Sequence, residues 1–205
     1  MVWQNRTEYI MKQDTSDMEL IRAYLSGDAA AFDMLYSRYK KPLYTYLNRL
    51  QNGERANADD IFQQTWLNII RNLSNYKDNE RFLAWAMRIA HNQSVDFFRR
   101  KNRKAEDAFD ENWAENQQES VLSQQESASP EEDLTRTELS SAIEDAVQTL
   151  PPEMKQVFLL RQEDVSFREI AQIQHCSINT CLARMQYALK KLRVQLKDWI
   201  TDGGI

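Results

Sequence analysis

Three side chains that commonly bind metals or carry redox chemistry fall within the stretch QHCSINTC: His175, Cys176 and Cys181. They include both of the chain's cysteines and one of its two histidines. Thiolates and imidazoles are the ligands of structural zinc, but such a site takes four of them, and no fourth stands nearby. The rest of the chain offers little catalytic chemistry. Two histidines and four glycines provide neither a Ser-His-Asp set nor a glycine-rich phosphate loop. No catalytic residue, no metal ligand and no cofactor is therefore expected, and the trio is to be explained by the elements that hold it.

Those elements are short helices. Ser166-Phe167-Arg168-Glu169 has the spacing of a capping box, in which a serine oxygen takes an orphan N–H and a glutamate reaches back. The helix it opens can end only around Gln174. Ser177 can cap a second, longer helix over about 178–198. Short helix, tight turn and longer basic helix describe a helix-turn-helix. In the second helix Ile178, Cys181, Met185, Leu189, Leu192 and Leu196 recur at three and four, which predicts a buried stripe. Leu182, Ala183, Gln186, Tyr187 and Lys190 fall on the opposite side, where a DNA groove would be met.

The whole chain reads as helical. Its 205 residues suit one or two small domains with real cores, and only four glycines and four prolines interrupt abundant helix formers. Two cysteines make no disulfide framework, so a reducing, cytoplasmic compartment is expected. No apolar run nears the roughly 18 residues of a membrane span. MVWQNRTEYI lacks the pattern of a secretory signal, and Met11 offers a second start.

Charge is sharply divided. The net charge is −5, yet residues 105–133 alone hold ten acids and no Lys or Arg, leaving +5 elsewhere. Arg88, Arg99, Arg100, Lys101, Arg103 and Lys104 make 88–104 basic, and Arg184, Lys190, Lys191, Arg193 and Lys197 do the same for 178–197. Two basic helical faces around an acidic spacer fit a nucleic-acid partner. A DNA-binding regulator and a plain helical adaptor both remain open on these grounds.

Further helix signals come in order. Ser16 to Glu19 is another capping box, and its helix ends near Gly27. FDMLYSRYKKPLYTYLNRL carries one apolar face, with Pro42 expected to kink or break it. Asn57 is a candidate cap for the next helix, with Ile61, Phe62, Thr65, Trp66, Ile69, Ile70 and Leu73 on its buried side. Asn75 to Glu80 reads as a loop, followed by a helix from Arg81 to about Arg103 in which Trp85 is core. Residues 105–128 have too little apolar surface to offset ordering entropy and read as a tether. Ser129-Pro130-Glu131-Glu132 restarts helical order, with further helices at about 130–148 and 152–163. The expectation is an all-α fold: residues 1–104, an acidic linker at 105–129, and a second helical unit at 130–205.

LPPEMKQVFLLRQEDVSFREIAQIQHCSINTCLARMQYALKKLR (150–193) resembles the promoter −35-binding domain of the extracytoplasmic-function sigma factors, the smallest group of sigma-70-type initiation factors in bacteria. AFDMLYSRYKKPLYTYLNRL, ADDIFQQTWLNIIRNLSNY and RFLAWAMRIAHNQSVDFFRRK are similar to that family's polymerase-binding and −10-binding segments, in the family's order. The resemblance implies a transcription initiation factor, not an enzyme, that binds core RNA polymerase and promoter DNA. It also admits an anti-sigma factor as a partner, with no membrane insertion. It assigns polymerase docking to Asp60, Gln63, Gln64, Leu67 and Asn68. Contacts to the −10 element fall to Asn75, Lys77, Asn79, Arg81, Arg88, Asn92, Arg99 and Arg100. Contacts to the −35 element fall to Arg168, Asn179, Thr180, Leu182, Ala183, Arg184, Gln186, Tyr187 and Lys190. Opening DNA costs about 1.4 kcal/mol per stacking step, and each captured base returns roughly 1–3 kcal/mol, so a small opening needs no ATP. The acidic linker is expected to thread the polymerase's positively charged cleft.

The recognition helix departs from the family pattern, which usually carries valine at Cys181, a basic residue at Leu182 and a small hydroxyl residue at Ala183. Leu182 and Ala183 cannot make hydrogen bonds to bases or phosphates, so an unusual −35 preference is expected. Cys181 then reads as a small hydrophobe in the buried stripe and Cys176 as part of the turn. His175 stands where the family often has glycine, so a left-handed backbone is expected there.

Overall fold

The computed structural model describes residues 15–77, 81–108, 130–197 and 199. Among these residues the elements are all helices. Short polar side chains open several of them where the sequence predicts. At the head of α1 (Asp17–Leu25), Ser16 Oγ accepts from Glu19 N and the Glu19 carboxylate accepts from Ser16 N at 2.9 Å, a closed capping box. The chain leaves α1 through Gly27 at φ +106°, a conformation that favours glycine. Asp28 then caps α2 (Ala29–Leu50) by accepting from Ala30 N at 3.0 Å.

Helix α2 is continuous through Pro42, so the proline does not break it. An interior proline costs about 3 kcal/mol of helix propensity. Leu35, Leu43, Tyr46 and Leu47 flank it at 1 % exposure or less, and each such burial contributes roughly 1.5–3 kcal/mol. Packing on both sides of the proline outweighs the lost hydrogen bond.

A turn through Asn52 (φ +58°) and Gly53 (φ +77°) leads into α3 (Arg55–Asn72). Asn57 is not its cap. The helix starts behind Glu54, and Asn57 lies inside it, with Nδ2 donating to the Glu54 carboxylate. The early start carries Ala58 into the core, its N–H bonded to Glu54 O at 3.0 Å. A 3-10 turn (Leu73–Asn75) precedes α4 (Phe82–Ala108), which continues into the head of the acidic stretch. Residues 109–129, with the tether and the Ser129 cap assigned to them, lie outside the described residues, and so does Asn79.

The second half comprises α5 (Pro130–Gln148), α6 (Pro152–Gln162), α7 (Phe167–Ile173) and α8 (Ile178–Gln195). Ser166 and Glu169 close the predicted capping box on α7, and Ser177 Oγ accepts from Thr180 N at 3.0 Å to cap α8. The turn between them passes through His175 at φ +51°, the left-handed geometry expected there.

Helices α1 to α4 pack as one bundle, with α2 touching α1, α3 and α4. Trp66 anchors an aromatic cluster in it, its ring 4.8 Å from Tyr36 and 5.8 Å from Phe32. Helices α6 and α7 pack on α8, and α5 crosses α8 as well. The two halves also pack on each other, α2 against α6 and α4 against α7, so their buried residues form one continuous core.

The left-handed backbone at His175 costs an ordinary residue about 1 kcal/mol that glycine escapes. His175→Gly is therefore expected to raise the urea midpoint of the full chain. A lowered midpoint would show that the imidazole contributes more than the backbone strain removes.

Candidate nucleic-acid interface

Helix α3 presents two faces. Ala58, Ile61, Thr65, Trp66 and Ile69 are buried, and the Thr65 hydroxyl is turned back onto Ile61 O at 2.7 Å. On the other face Asp60, Gln63, Gln64 and Leu67 are exposed and Asn68 is half-buried. Leu67 is 44 % exposed, an apolar contact surrounded by amides and a carboxylate. The residues expected to dock on a partner protein thus form one strip.

Leading into α4, Asn75 and Lys77 are exposed. Tyr76 between them is buried, its ring 5.3 Å from Trp85 and 5.6 Å from Phe82. This anchor fixes the segment on the bundle and makes Trp85, at 6 % exposure, a core residue as expected. Asn92, Arg99 and Arg100 are exposed along α4, and Arg88 is half-buried. Arg99 stands 4.0 Å from Asp96, and Arg100 Nε donates to Asp96 O at 3.3 Å. Exposed pairs of this kind contribute at most about 1 kcal/mol and yield readily to phosphate. Arg81 is exposed too but already engaged, with Nη1 donating to Asp164 O at 3.1 Å and Nε 3.9 Å from the Glu169 carboxylate.

Helix α8 is rotated slightly from the predicted stripe. Cys181, Ala188 and Leu192 are buried, with Met185 and Leu196 partly so, whereas Ile178 and Leu189 are 45 % and 44 % exposed. Ala188 takes the buried place expected of Leu189. The outward face is as expected: Asn179, Leu182, Ala183, Gln186, Tyr187 and Lys190 are all exposed, Tyr187 to 61 %. Arg168 on α7 is exposed as well. Thr180 is half-buried, its hydroxyl 2.8 Å from that of Ser177. Arg184 departs from the expectation of a free readout residue. Its Nη1 donates to Gln174 Oε1 at 2.8 Å, while Gln174 Nε2 donates to Glu153 O and Gln156 Oε1. In this conformation Arg184 braces the turn against α6.

Sequence reasoning missed the polar groups at the seam between the halves. Lys155 is 4 % exposed, donating to Asn52 Oδ1 and Gln148 Oε1, both at 2.5 Å, and burial lowers its pKa to about 8. Arg49 reaches across from α2 to Glu144 at 2.9 Å and to Gln162. His91 on α4 is 8 % exposed, and its Nδ1 meets no hydrogen-bond partner among the described residues. Burial lowers its pKa to about 4, and the His175 imidazole beside it adds to that. A lysine or histidine at helical spacing carries no mark in sequence that another element will cover it.

Among the described residues no helix is long and apolar enough to cross a membrane. The chain matches the family description "Sigma-70 region 2" over residues 35–104 and "Sigma-70, region 4" over 140–192. It is 27 % identical over 178 residues to an ECF RNA polymerase sigma-E factor of Haemophilus influenzae, covering 85 % of this chain and 92 % of that one. It is 28 % identical over 181 residues to the ECF RNA polymerase sigma factor SigW of Bacillus subtilis, covering 87 % and 95 %. Two solved structures share the fold: the sigma factor RpoE of Bartonella quintana in complex with the anti-sigma factor NepR, and CnrH in complex with the cytosolic domain of CnrY. The first has a TM-score of 0.66 at 18 % identity, covering 81 % of this chain and 96 % of that one. The second has a TM-score of 0.61 at 21 % identity, covering 89 % and 97 %.

A neutral, buried His91 makes the fold acid-sensitive. Below its ordinary value of 6.5 the unfolded chain takes up a proton that the folded chain refuses until about pH 4. Stability is thus held above pH 6.5 and falls between 6.5 and 4, by up to about 1.4 kcal/mol per pH unit. His91→Gln is expected to flatten that dependence in melting curves. An unchanged slope would assign the acid sensitivity to other groups.

Proposed function

We propose a division of labour between three surfaces for this chain, which belongs to the sigma-70 family, in its extracytoplasmic-function group, and directs RNA polymerase to promoters as an initiation factor. The exposed strip of α3 docks on core polymerase. The segment around Asn75 and Lys77 and the basic face of α4 engage and open the −10 element. The outward face of α8 reads the −35 element. The observation that carries this reading is the coincidence of the family match with that face, where Asn179, Leu182, Ala183, Gln186, Tyr187 and Lys190 are exposed together.

Binding and positioning suffice for this work, and the factor acts in the cytoplasm without catalytic chemistry of its own. One of the two solved structures that share the fold carries an anti-sigma factor, which supports such a partner here. The domain limits 1–104, 105–129 and 130–205 are part of the same proposal. Arg81 must leave Asp164 and Glu169 to reach DNA, so promoter engagement separates the halves there. Leu182 and Ala183 contribute apolar contact instead of hydrogen bonds, which favours a −35 element different from the family's commonest one.

Three outcomes test the division. Leu67→Glu should weaken binding to core polymerase about tenfold or more without loss of fold. Gln186→Ala and Tyr187→Ala should keep polymerase binding and lose about 1–3 kcal/mol of discrimination between −35 sequences. Selection of promoters by the reconstituted holoenzyme should recover an uncommon −35 motif. A promoter footprint formed without core polymerase would replace this reading with that of a self-sufficient regulator. Deleting half of residues 106–128 should shift the ratio of abortive to full-length transcripts, and an unchanged ratio would remove the linker from the polymerase cleft.

A further inference from the structure

We propose that Cys176 and Cys181 form a reversible redox site, oxidised by a hydroperoxide to an intramolecular disulfide that disables recognition of the −35 element by α8. The function of this site rests on the −35 reading above, whereas its chemistry does not.

The two sulfurs are 3.3 Å apart, although one lies in the turn and the other in the first turns of α8. A disulfide needs about 2.05 Å between them, so a modest closure suffices. Their surroundings differ in the way a reacting pair requires. Cys176 is half-buried and lines an open surface depression with Arg168, Gln172, His175 and Ile178, which gives a small oxidant access. Arg184 Nη1 stands 3.6 Å from Cys176 Sγ, beside the sulfur that the oxidant reaches first. Cys181 is fully buried, and that burial, with the contact to Cys176, pushes its thiol up to about 12. Cys181 therefore rests as the thiol and gives up its proton as it attacks the first product.

The chemistry balances with one hydroperoxide. The Cys176 thiolate attacks the outer peroxide oxygen, the O–O bond breaks, and the departing oxyanion takes a proton to leave as an alcohol, or as water from hydrogen peroxide. Cys176 is now a sulfenic acid, oxidised by two electrons. Cys181 sulfur attacks it, the S–O bond breaks, and the leaving hydroxide departs as water with the Cys181 proton. A dithiol reductant reverses the step by thiol–disulfide exchange. In a reducing compartment such a disulfide is transient, as a sensor requires.

Closure also reaches the DNA-binding residues. The new bond encloses Ser177, Ile178, Asn179 and Thr180, which are the cap and first turn of α8. It draws Cys181 away from the core or the turn toward it, and it turns the thiol that Arg184 touches into a disulfide sulfur. Asn179, Thr180 and Arg184 are then displaced together from their reduced positions.

The test uses the full chain, reduced with dithiothreitol and then titrated with hydrogen peroxide. Intact mass should fall by two hydrogens, with Cys176 and Cys181 in one linked peptide, and dithiothreitol should restore it. Promoter binding by the holoenzyme should weaken roughly tenfold on oxidation, the scale of one lost base contact, and recover with reduction. Cys176→Ser should bind promoters normally and ignore peroxide, whereas Cys181→Val should bind normally and take up oxygen at Cys176 without forming the linked peptide. Absence of the linked peptide, or undiminished promoter binding by the disulfide form, would overturn the proposal, and so would loss of promoter binding on peroxide treatment of Cys176→Ser. If the disulfide forms while the reduced protein discriminates no −35 sequences, the −35 assignment falls and the proposed gating falls with it.

Discussion

Helix α2 stays continuous across Pro42 because its neighbours bury it on several sides, and much of the molecule packs on that helix. It packs against α1, α3 and α4 within its own half and against α6 in the other. Leu43 and Leu47 have no exposed surface, and Tyr46 has almost none. Hydrophobic transfer at these positions exceeds what the missing N–H of Pro42 loses. The position of α2 in turn decides where α3 and α4 can lie, and hence which faces they present to a partner. Tyr46 shows how strongly packing dominates. Its hydroxyl is buried with no partner among the described residues, and burial raises its pKa.

The seam between the halves works by a different physics. Lys155, Arg49, His91 and Arg81 all lie there, and only Arg81 is open to solvent. Buried charges and unpaired imidazoles contribute little net stability, because desolvation offsets most of what their contacts return. They do make the seam specific and conditional, since each loses its place if the partner element moves. A factor that must bind two separated DNA elements suits a seam held by such contacts, which DNA phosphates can compete for, better than a wholly apolar one. Arg81 illustrates the point: the carbonyl and carboxylate that hold it here are acceptors of the same kind as phosphate oxygens.

The recognition helix depends on both principles. Its inner positions, Cys181, Ala188 and Leu192, are held by α6 and α7, which turns Asn179, Leu182, Gln186 and Tyr187 outward. Its first turn is fixed by the Ser177 cap and by the Arg184–Gln174 brace, which ties α8 to α6. The brace and the outward face of α8 thus share a short stretch of chain, so anything that alters the turn alters that face.

Local signals determined much of this from sequence alone. The capping boxes at Ser16 and Ser166, the Ser177 cap and the outward face of α8 were all legible, because each depends on residues within one or two helical turns, whereas the left-handed turn at His175 was expected only from the family resemblance. Period and capping describe a helix relative to its own axis. They do not say what lies opposite, and that only the tertiary structure decided. It kept α2 continuous through Pro42, began α3 before Asn57, exchanged Leu189 for Ala188 on the inner side of α8, and drew Arg184 into a brace. It also covered Lys155 and His91, whose burial nothing in the sequence marks. Cys176 and Cys181 show the same division. Spacing placed one in a turn and one on a buried stripe, and folding brought their sulfurs to 3.3 Å.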